Sequence, residues 1–196
     1  EIYSLIYDAA QEAEKIASTE IERYRTYKFE SLSEDFTLNK SYLFHGKGLI
    51  NKDRSVTLPY FFISRNVTDQ LIENMQTHNL QLLLGGGCSG KTYIAIDVAA
   101  RVRDRDVFVF ESKETLSDVA LQALLERRNC LIIADSNTLN IRQIERLIRN
   151  NNDLKKQNIT VLIIENKNNR DLAGLIKLLE LNGVIEPQSI PQIIIP

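Results

Sequence analysis

The stretch LQLLLGGGCSGKTYIA, residues 80 to 95, decides the fold that this sequence predicts. It runs from an apolar segment through three consecutive glycines into a Gly-Lys-Thr triplet. Gly85, Gly90, Lys91 and Thr92 match the pattern G-x-x-x-x-G-K-[ST], which is typical of a loop that binds phosphate groups. The pattern has this meaning only if a strand precedes it and a helix follows it.

Both neighbours of the loop meet that condition. Leu80 to Leu84 form a continuous apolar run that predicts a buried strand, and Ile94, Val98 and Val102 recur at helical spacing after the loop. The alternative is a glycine-rich hairpin turn, but such a turn leads into an alternating strand and not into a helix. The flanks therefore favour a phosphate-binding loop.

The residue types in the loop suit an anion. Gly85 to Gly87 tolerate positive φ, so we expect them to curl their N–H groups inward at the amino end of the helix. Lys91 would neutralise the β- and γ-phosphates of a nucleotide, and the Thr92 hydroxyl would be one oxygen ligand of Mg²⁺. The predicted nucleotide contacts in this loop are Gly85, Gly86, Gly87, Cys88, Ser89, Gly90, Lys91, Thr92 and Tyr93.

Composition excludes several classes of protein. The chain has 196 residues, 43% hydrophobic and 26% charged, which is ordinary for a globular protein with one well-buried domain. A net charge of −2 gives no global reason to expect nucleic acid or membrane as a partner. Two cysteines, Cys88 and Cys130, form neither a disulfide framework nor a metal spacing and fit a reducing cytoplasm. No run reaches 18 apolar residues, so the sequence predicts no membrane span.

Strand-like and helix-like segments alternate from the loop onward. Five apolar segments predict strands: 80–84, 106–111, 129–135, 159–166 and 190–195. The helices predicted between them cover residues from 92 onward, 115–127, 140–150 with Asn137 or Asn140 as its cap, and 170–183 ending in Asn182-Gly183. Strands that are apolar on both faces and alternate with amphipathic helices predict an α/β fold, a mainly parallel sheet between two helical layers.

The residues before the loop strand are predicted to be a separate region. Apolar residues at helical spacing indicate a long helix over residues 1–26, and 27–65 contain β-type residues and turn signals at Gly46 and Gly48 that indicate short strands or loops. Residues 66–79 indicate a short helix. We therefore predict an appendage over 1–65, a core domain over 66–196, and further domains outside these residues.

Besides the Thr92 hydroxyl, a carboxylate is expected to hold Mg²⁺ through water. Asp135 follows the apolar run Cys-Leu-Ile-Ile-Ala, although an Asp at this position could instead cap the next helix. It follows Lys91 by 44 residues with one full strand and helix between them. This spacing resembles the ASCE class of P-loop enzymes, which includes RecA-like, AAA+ and STAND proteins. The resemblance implies the strand order 5-1-4-3-2.

The chain departs from that class beside Asp135. Its hydrolases carry a second acid after the metal-binding Asp, whereas this chain has Ser136. Glu111 and Glu165, at the ends of two other strands, are the alternative candidates for the acid that activates water, and each could equally be a solvated strand end. If the strand order holds, Glu165 and Asn166 lie beside the loop strand, and Asn166 occupies the sensor position of this class. Asn168, Asn169 or Arg170 could share that role.

Within this class the chain most resembles STAND NTPases, including prokaryotic ones found in defence systems. The segments that carry the resemblance are FISRNVTDQLIENM, LLLGGGCSGKT, NCLIIAD and VLIIENKNNR. It implies ATP and Mg²⁺ as cofactors, slow hydrolysis, and adenine contacts from the lead-in residues Ile63, Ser64, Arg65 and Asn66. We expect the family's lid domain to lie outside these 196 residues. The resemblance thus implies a switch module that acts through self-assembly or through fused effector or sensor domains.

Two other functions remain open. Arg142, Arg146 and Arg149 share a helical face that could bind nucleic acid or a neighbouring subunit's nucleotide, as in a DNA-stimulated RecA-like or AAA+ ATPase, or could be a solvated surface. A phosphotransferase ranks third because no segment for binding a phosphate acceptor is visible.

Overall fold

The computed structural model describes residues 2–26, 28–31, 55–58, 62–111, 114–186 and 189–195. The helices in these ranges are α1 (Ile2–Glu22), α2 (Asn66–Asn74), α3 (Lys91–Arg101), α4 (Asp118–Leu125), α5 (Ile141–Arg149), α6 (Asn151–Gln157) and α7 (Arg170–Leu181). The strands are β1 (Arg25–Thr26), β2 (Lys28–Ser31), β3 (Ser55–Leu58), β4 (Leu80–Gly85), β5 (Asp106–Phe110), β6 (Cys130–Ala134), β7 (Ile159–Asn166) and β8 (Gln192–Ile195).

Strands in the described ranges form one large sheet with the order β1-β5-β6-β7-β4-β8. β4 to β8 are parallel to their neighbours, whereas β1 pairs antiparallel with the edge of β5. Numbered along the chain from the loop strand, the five parallel strands stand in the order 5-1-4-3-2, as expected. The predicted α/β class and the mainly parallel sheet are confirmed, with β1 as an unpredicted sixth strand.

Apolar cores cover both faces of this sheet. One core joins the strands to α1, α4, α5, α6 and α7, and the other joins them to α2, α3 and β3. Every residue of β6, from Cys130 to Ala134, is buried, because a central parallel strand is covered on both faces. Such burial explains why these strands read as continuous apolar runs.

The crossover between β6 and β7 differs from its prediction. A single helix was predicted over 140–150, but the structure contains α5 and then α6, with Asn150 between them at φ −97° and ψ 19°. Of the two predicted caps, Asn140 is correct, since its side chain accepts hydrogen bonds from the N–H groups of Arg142 and Gln143. Asn137 instead lies earlier in the loop, in a left-handed conformation with φ 66°. Polar residues in NNDLKKQ gave α6 too little apolar periodicity to be recognised.

The amino-terminal helix packs on the core. The Ile21 side chain is fully buried in the first core, and the rings of Tyr24 and Phe110 have centroids 4.4 Å apart. α1 has 21 residues, but no helix in the described ranges is long and apolar enough to cross a membrane. β2 and β3 form a separate parallel pair, and the predicted turns at Gly46 and Gly48 lie outside the described residues. The division of the chain at residue 65 stays a prediction.

Candidate functional site

Most of the predicted site residues lie at the carboxyl edge of the parallel strands, where β4 meets β7, whereas Glu111 follows β5, three strands away from β4. After β4 the chain enters α3 on one face of the sheet, and after β7 it enters α7 on the opposite face. Adjacent strands whose connections leave toward opposite faces open a crevice, and ligands of α/β sheets bind in this crevice. Gly85 pairs with Asn166 directly at its edge.

The backbone of the phosphate-binding loop curls at different residues from those predicted. Positive φ occurs at Cys88, 58°, and at Gly90, 85°, and not at Gly85 to Gly87. The expectation for the glycine run was therefore wrong. Gly90 is the residue before α3, and α3 has no side-chain cap. The N–H groups of Lys91 and Thr92, the first two of α3, have no acceptor among the described residues, as required of an anion site.

Gly85 is closely packed inside the loop, so that a larger residue would require the Ser89 side chain to shift. A Cβ at this position would lie 2.5 Å from Ser89 Oγ and 3.3 Å from Lys91 Cδ. Ser89 Oγ is itself buried and has no hydrogen-bond partner among the described residues. A buried hydroxyl without a partner costs free energy, so it suits a loop that receives a phosphate oxygen.

Lys91 lies over the same loop. Its Nζ donates to the carbonyl oxygens of Gly85 at 3.2 Å and Gly86 at 2.7 Å. An ammonium group has three N–H donors, so one remains for a further acceptor. Its half-buried positive charge stands at the amino end of α3, where the helix dipole also favours an anion.

The Thr92 hydroxyl and the Asp135 carboxylate are in direct contact. Thr92 Oγ1 donates to Asp135 Oδ2 at 2.9 Å, and the N–H of Ser136 donates to Asp135 Oδ1 at 2.7 Å. Asp135 is 8% exposed and is held in place by these contacts, while Asn140, and not Asp135, caps the next helix. Because Thr92 gives its proton to Asp135, the lone pairs of its hydroxyl oxygen remain available to a cation. These two oxygen-bearing groups are the type that Mg²⁺ prefers.

The two candidate activating acids lie in different places. Glu111 follows β5, and β6 and β7 lie between β5 and β4. At ordinary strand spacing, β5 is therefore about 14 Å from β4. Glu165 pairs with Leu84 on the neighbouring strand and is only 6% exposed. Next to it, Asn166 is exposed and pairs with Gly85, so it lies beside the loop strand as the strand order predicted, and its role as a sensor stays a prediction.

Arg65 reaches the phosphate-binding loop from the lead-in segment. Its Nη1 donates to the carbonyl oxygen of Ser89 at 3.1 Å, and its Nη2 lies 3.4 Å from the position of a Cβ on Gly90. The sequence placed this residue near the base of a nucleotide, whereas in the structure its guanidinium faces the loop. Ser64 is engaged elsewhere, since its hydroxyl donates to the buried Asp97 carboxylate of α3.

An aromatic pair beside the loop was missed by the sequence analysis. The Phe62 and Tyr93 rings are nearly parallel, with an interplanar angle of 14° and centroids 6.0 Å apart. Tyr93 was predicted as a contact only because it follows Thr92. The signal for Phe62 was the aromatic run YFF before the lead-in helix, which has no periodicity that distinguishes it from a strand.

The two cysteines differ in accessibility, which gives a prediction. Cys88 is exposed in the phosphate-binding loop, whereas Cys130 is buried, and burial, with Asp106 nearby, raises the pKa of its thiol to about 12. At pH 8 a thiol with this pKa is almost entirely protonated and unreactive. We expect one rapidly reacting thiol in a colorimetric assay of the folded protein and a second only after unfolding.

Cys88→Ser should remove the rapid reaction of the folded protein and leave the thiol that reacts only after unfolding. If nucleotide occupies the loop, it should also slow the reaction of Cys88. A rapid phase that survives in Cys88→Ser would contradict the assignment.

Comparisons with known proteins add little to this geometry. No family model matches the sequence, and no curated protein matches it. Among solved structures the chain is similar to an arginine-to-alanine variant of RuvB from Thermotoga maritima, with 18% identity and a TM-score of 0.40. The similarity covers 68% of this chain and 46% of that one, so the chain spans less than half of that structure.

Proposed function

We propose that this chain binds ATP with Mg²⁺, hydrolyses it slowly, and acts as a regulatory switch module of the STAND type. The observation that carries the proposal is the hydrogen bond of 2.9 Å between Thr92 Oγ1 and Asp135 Oδ2. It joins the last residue of the glycine-lysine-threonine motif to a buried carboxylate that directly follows β6, a strand separated from β4 by β7. A carboxylate that only capped the next helix would not need this partner.

The loop supplies the phosphate contacts in this proposal. Lys91 Nζ keeps one N–H for a phosphate oxygen, Ser89 Oγ is buried without a partner among the described residues, and the amino end of α3 points its N–H groups outward. Bound Mg²⁺ would offset charge on the β- and γ-phosphates. Thr92 and Asp135 would hold the ion, Asp135 partly through water.

In this proposal a purine base would lie beside Tyr93. The Phe62 and Tyr93 rings form a flat apolar edge next to the loop, and aromatic faces attract nucleobases through stacking. The lead-in segment that carries Phe62 is fixed to α3, because Arg101 contacts both Ser64, at 3.4 Å, and Asp69, at 2.5 Å. ATP is the ligand that the resemblance implies for such a site.

Slow hydrolysis follows from the residue beside Asp135. Ser136 stands where the hydrolases of the resembling class carry a second acid, and its hydroxyl lies 3.4 Å from the carbonyl oxygen of Ile164. Glu111 stands about 14 Å from the loop strand at ordinary strand spacing. Binding is therefore the primary activity in this proposal, and hydrolysis would reset the switch.

A switch is favoured over a nucleic-acid motor by the state of the arginine face on α5. Arg149 pairs with Glu145 at 2.8 Å, and Arg146 donates to Gln122 of α4. The Glu145 carboxylate offsets the charge of Arg149, and Gln122 occupies one donor of Arg146, so neither guanidinium is wholly available to a phosphate backbone. The switch would act through self-assembly or fused domains, with prokaryotic defence as one setting and the cytoplasm as the location.

Asp135→Asn tests the proposal through the Mg²⁺ dependence of ATP binding. Asparagine keeps an oxygen for the N–H of Ser136 but removes the negative charge beside Thr92. We expect wild-type affinity for ATP to fall when Mg²⁺ is chelated, and the variant to lose about tenfold or more of its affinity only when Mg²⁺ is present. Calorimetric titration of ATP, with and without the metal, measures both values.

Asp171→Asn is the matched control, since Asp171 is an exposed acid in the first turn of α7 and should leave both affinities unchanged. The proposal fails if the wild-type chain does not bind ATP. It also fails in its metal assignment if the Asp135 variant keeps the full effect of Mg²⁺.

A further inference from the structure

The Glu165 carboxylate lies buried between the two loops at the candidate site. It is 6% exposed and stands near the carboxyl end of β7, the strand between β6, which leads to Asp135, and β4, which leads to the phosphate-binding loop. A side chain at this point of the sheet can contact the chain after β6 and the chain after its own strand.

Its two oxygens accept hydrogen bonds from both of those loops. Oε1 accepts from the N–H of Asn137 at 3.2 Å, in the loop after β6. Oε2 accepts from the N–H of Asn166, the last residue of β7, and from Asn169 Nδ2 in the loop that follows, both at 3.2 Å. Three of the roughly four lone-pair positions of a carboxylate are therefore used by the protein. Asn137 has a positive φ of 66°, a conformation that this contact helps to hold.

The hydrogen bonds continue from these loops to the phosphate-binding loop on two sides. On one side Ser136 N–H contacts Asp135, which accepts from Thr92. On the other side the N–H of Lys167 donates to the carbonyl oxygen of Gly85 at 3.1 Å. Glu165 thus joins the loop after β6, which contains Asp135, to the loop after β7. Each of these two loops contacts the phosphate-binding loop.

We propose that Glu165 is a positioning residue that couples these two loops, and not the acid that activates water. Only the expected effect of Glu165 on ATP affinity and turnover rests on the proposed function. Coupling fixes Asp135 and Asn166 relative to each other, so that a change at one loop displaces the other. A general base must face the attacking water, whereas both oxygens of Glu165 already accept hydrogen bonds from the protein and the residue is only 6% exposed.

Glu165→Gln tests the coupling directly in the protein without nucleotide. Glutamine is nearly the same size, but its NH₂ group cannot accept a hydrogen bond, so one of the two loops loses its acceptor. We expect hydrogen exchange of the Asn137 or Asn166 amide, measured by NMR, to accelerate by about tenfold or more, the order expected when a charge-assisted hydrogen bond is lost. Glu73→Gln, an exposed change on α2, should leave both amides unchanged.

The second measurement separates positioning from catalysis. Positioning predicts that Glu165→Gln lowers the affinity for ATP with Mg²⁺ as well as the turnover number. An activating acid predicts unchanged affinity and unchanged amide exchange, with turnover lowered by about 100-fold or more. That second pattern would overturn the inference, as would a variant that behaves like wild type in every measurement.

Asn169→Ser keeps the inference testable if Glu165→Gln does not fold. Serine retains an oxygen for the N–H of Leu172, so α7 keeps its cap, but the amide donor to Glu165 is lost. We expect faster exchange of the Asn166 amide in this variant, and unchanged exchange would contradict the coupling. A wild-type chain that binds no ATP would refute the proposed function, while the exchange result would still decide whether Glu165 holds the loops.

Discussion

Lys91→Ala should abolish ATP binding, with an affinity loss of about 100-fold or more, equivalent to about 2.7 kcal/mol. The change removes a positive charge from the amino end of α3 and the one N–H that Lys91 does not give to Gly85 and Gly86. Hydrogen bonds between charged groups contribute about 1.5–3 kcal/mol, and the loss of attraction to the phosphates adds to this. Titration of ATP in the presence of Mg²⁺, by calorimetry, measures the effect.

The fold should survive this substitution, because the apolar part of Lys91 is not in either core. Far-ultraviolet circular dichroism and the midpoint of thermal unfolding are the readouts of the fold. Lys177→Ala provides the control, as Lys177 is an exposed lysine on α7 and its loss should leave ATP affinity unchanged. Micromolar affinity in Lys91→Ala would show that the ligand, if any, does not use this loop.

The parts of the site that were predictable are those set by short sequence patterns. The glycine-lysine-threonine motif lies between an apolar run and a segment with apolar residues at helical spacing. This context correctly predicted β4, the loop and α3. Asp135 was predictable because it directly follows the buried run of β6. The strand order came from the resemblance, since the spacing of Lys91 and Asp135 alone shows only that one strand lies between them in sequence.

Other contacts depend on how strands align, and no local pattern encodes that alignment. The hydrogen bonds of Glu165 require the register that pairs Leu84 with Glu165 and Ala134 with Ile163, so the sequence could only place Glu165 at a strand end. The stacking of Phe62 on Tyr93 likewise joins residues far apart in sequence. β1 has two residues, which is too short for an alternating pattern to show.

Ile21→Ala should lower the free energy of unfolding by about 2–5 kcal/mol, the usual cost of removing a buried isoleucine side chain beyond its Cβ. Ile21 is fully buried near the end of α1 and packs in the same core as Phe108 and Phe110 of β5. A domain of this size is stable by only about 5–15 kcal/mol, so the loss is a large fraction of the total. Urea denaturation followed by circular dichroism measures it as a shift of a single transition.

Ile16→Ala is the matched control on the same helix, because Ile16 is 60% exposed and its truncation should change stability by less than about 0.5 kcal/mol. A large effect of Ile21 with no effect of Ile16 would mean that α1 unfolds with the core of the parallel sheet as one unit. Equal and negligible effects would instead support a domain that begins near residue 66, with α1 as an appendage. Because β1 follows α1 directly and pairs with β5, we expect the first result.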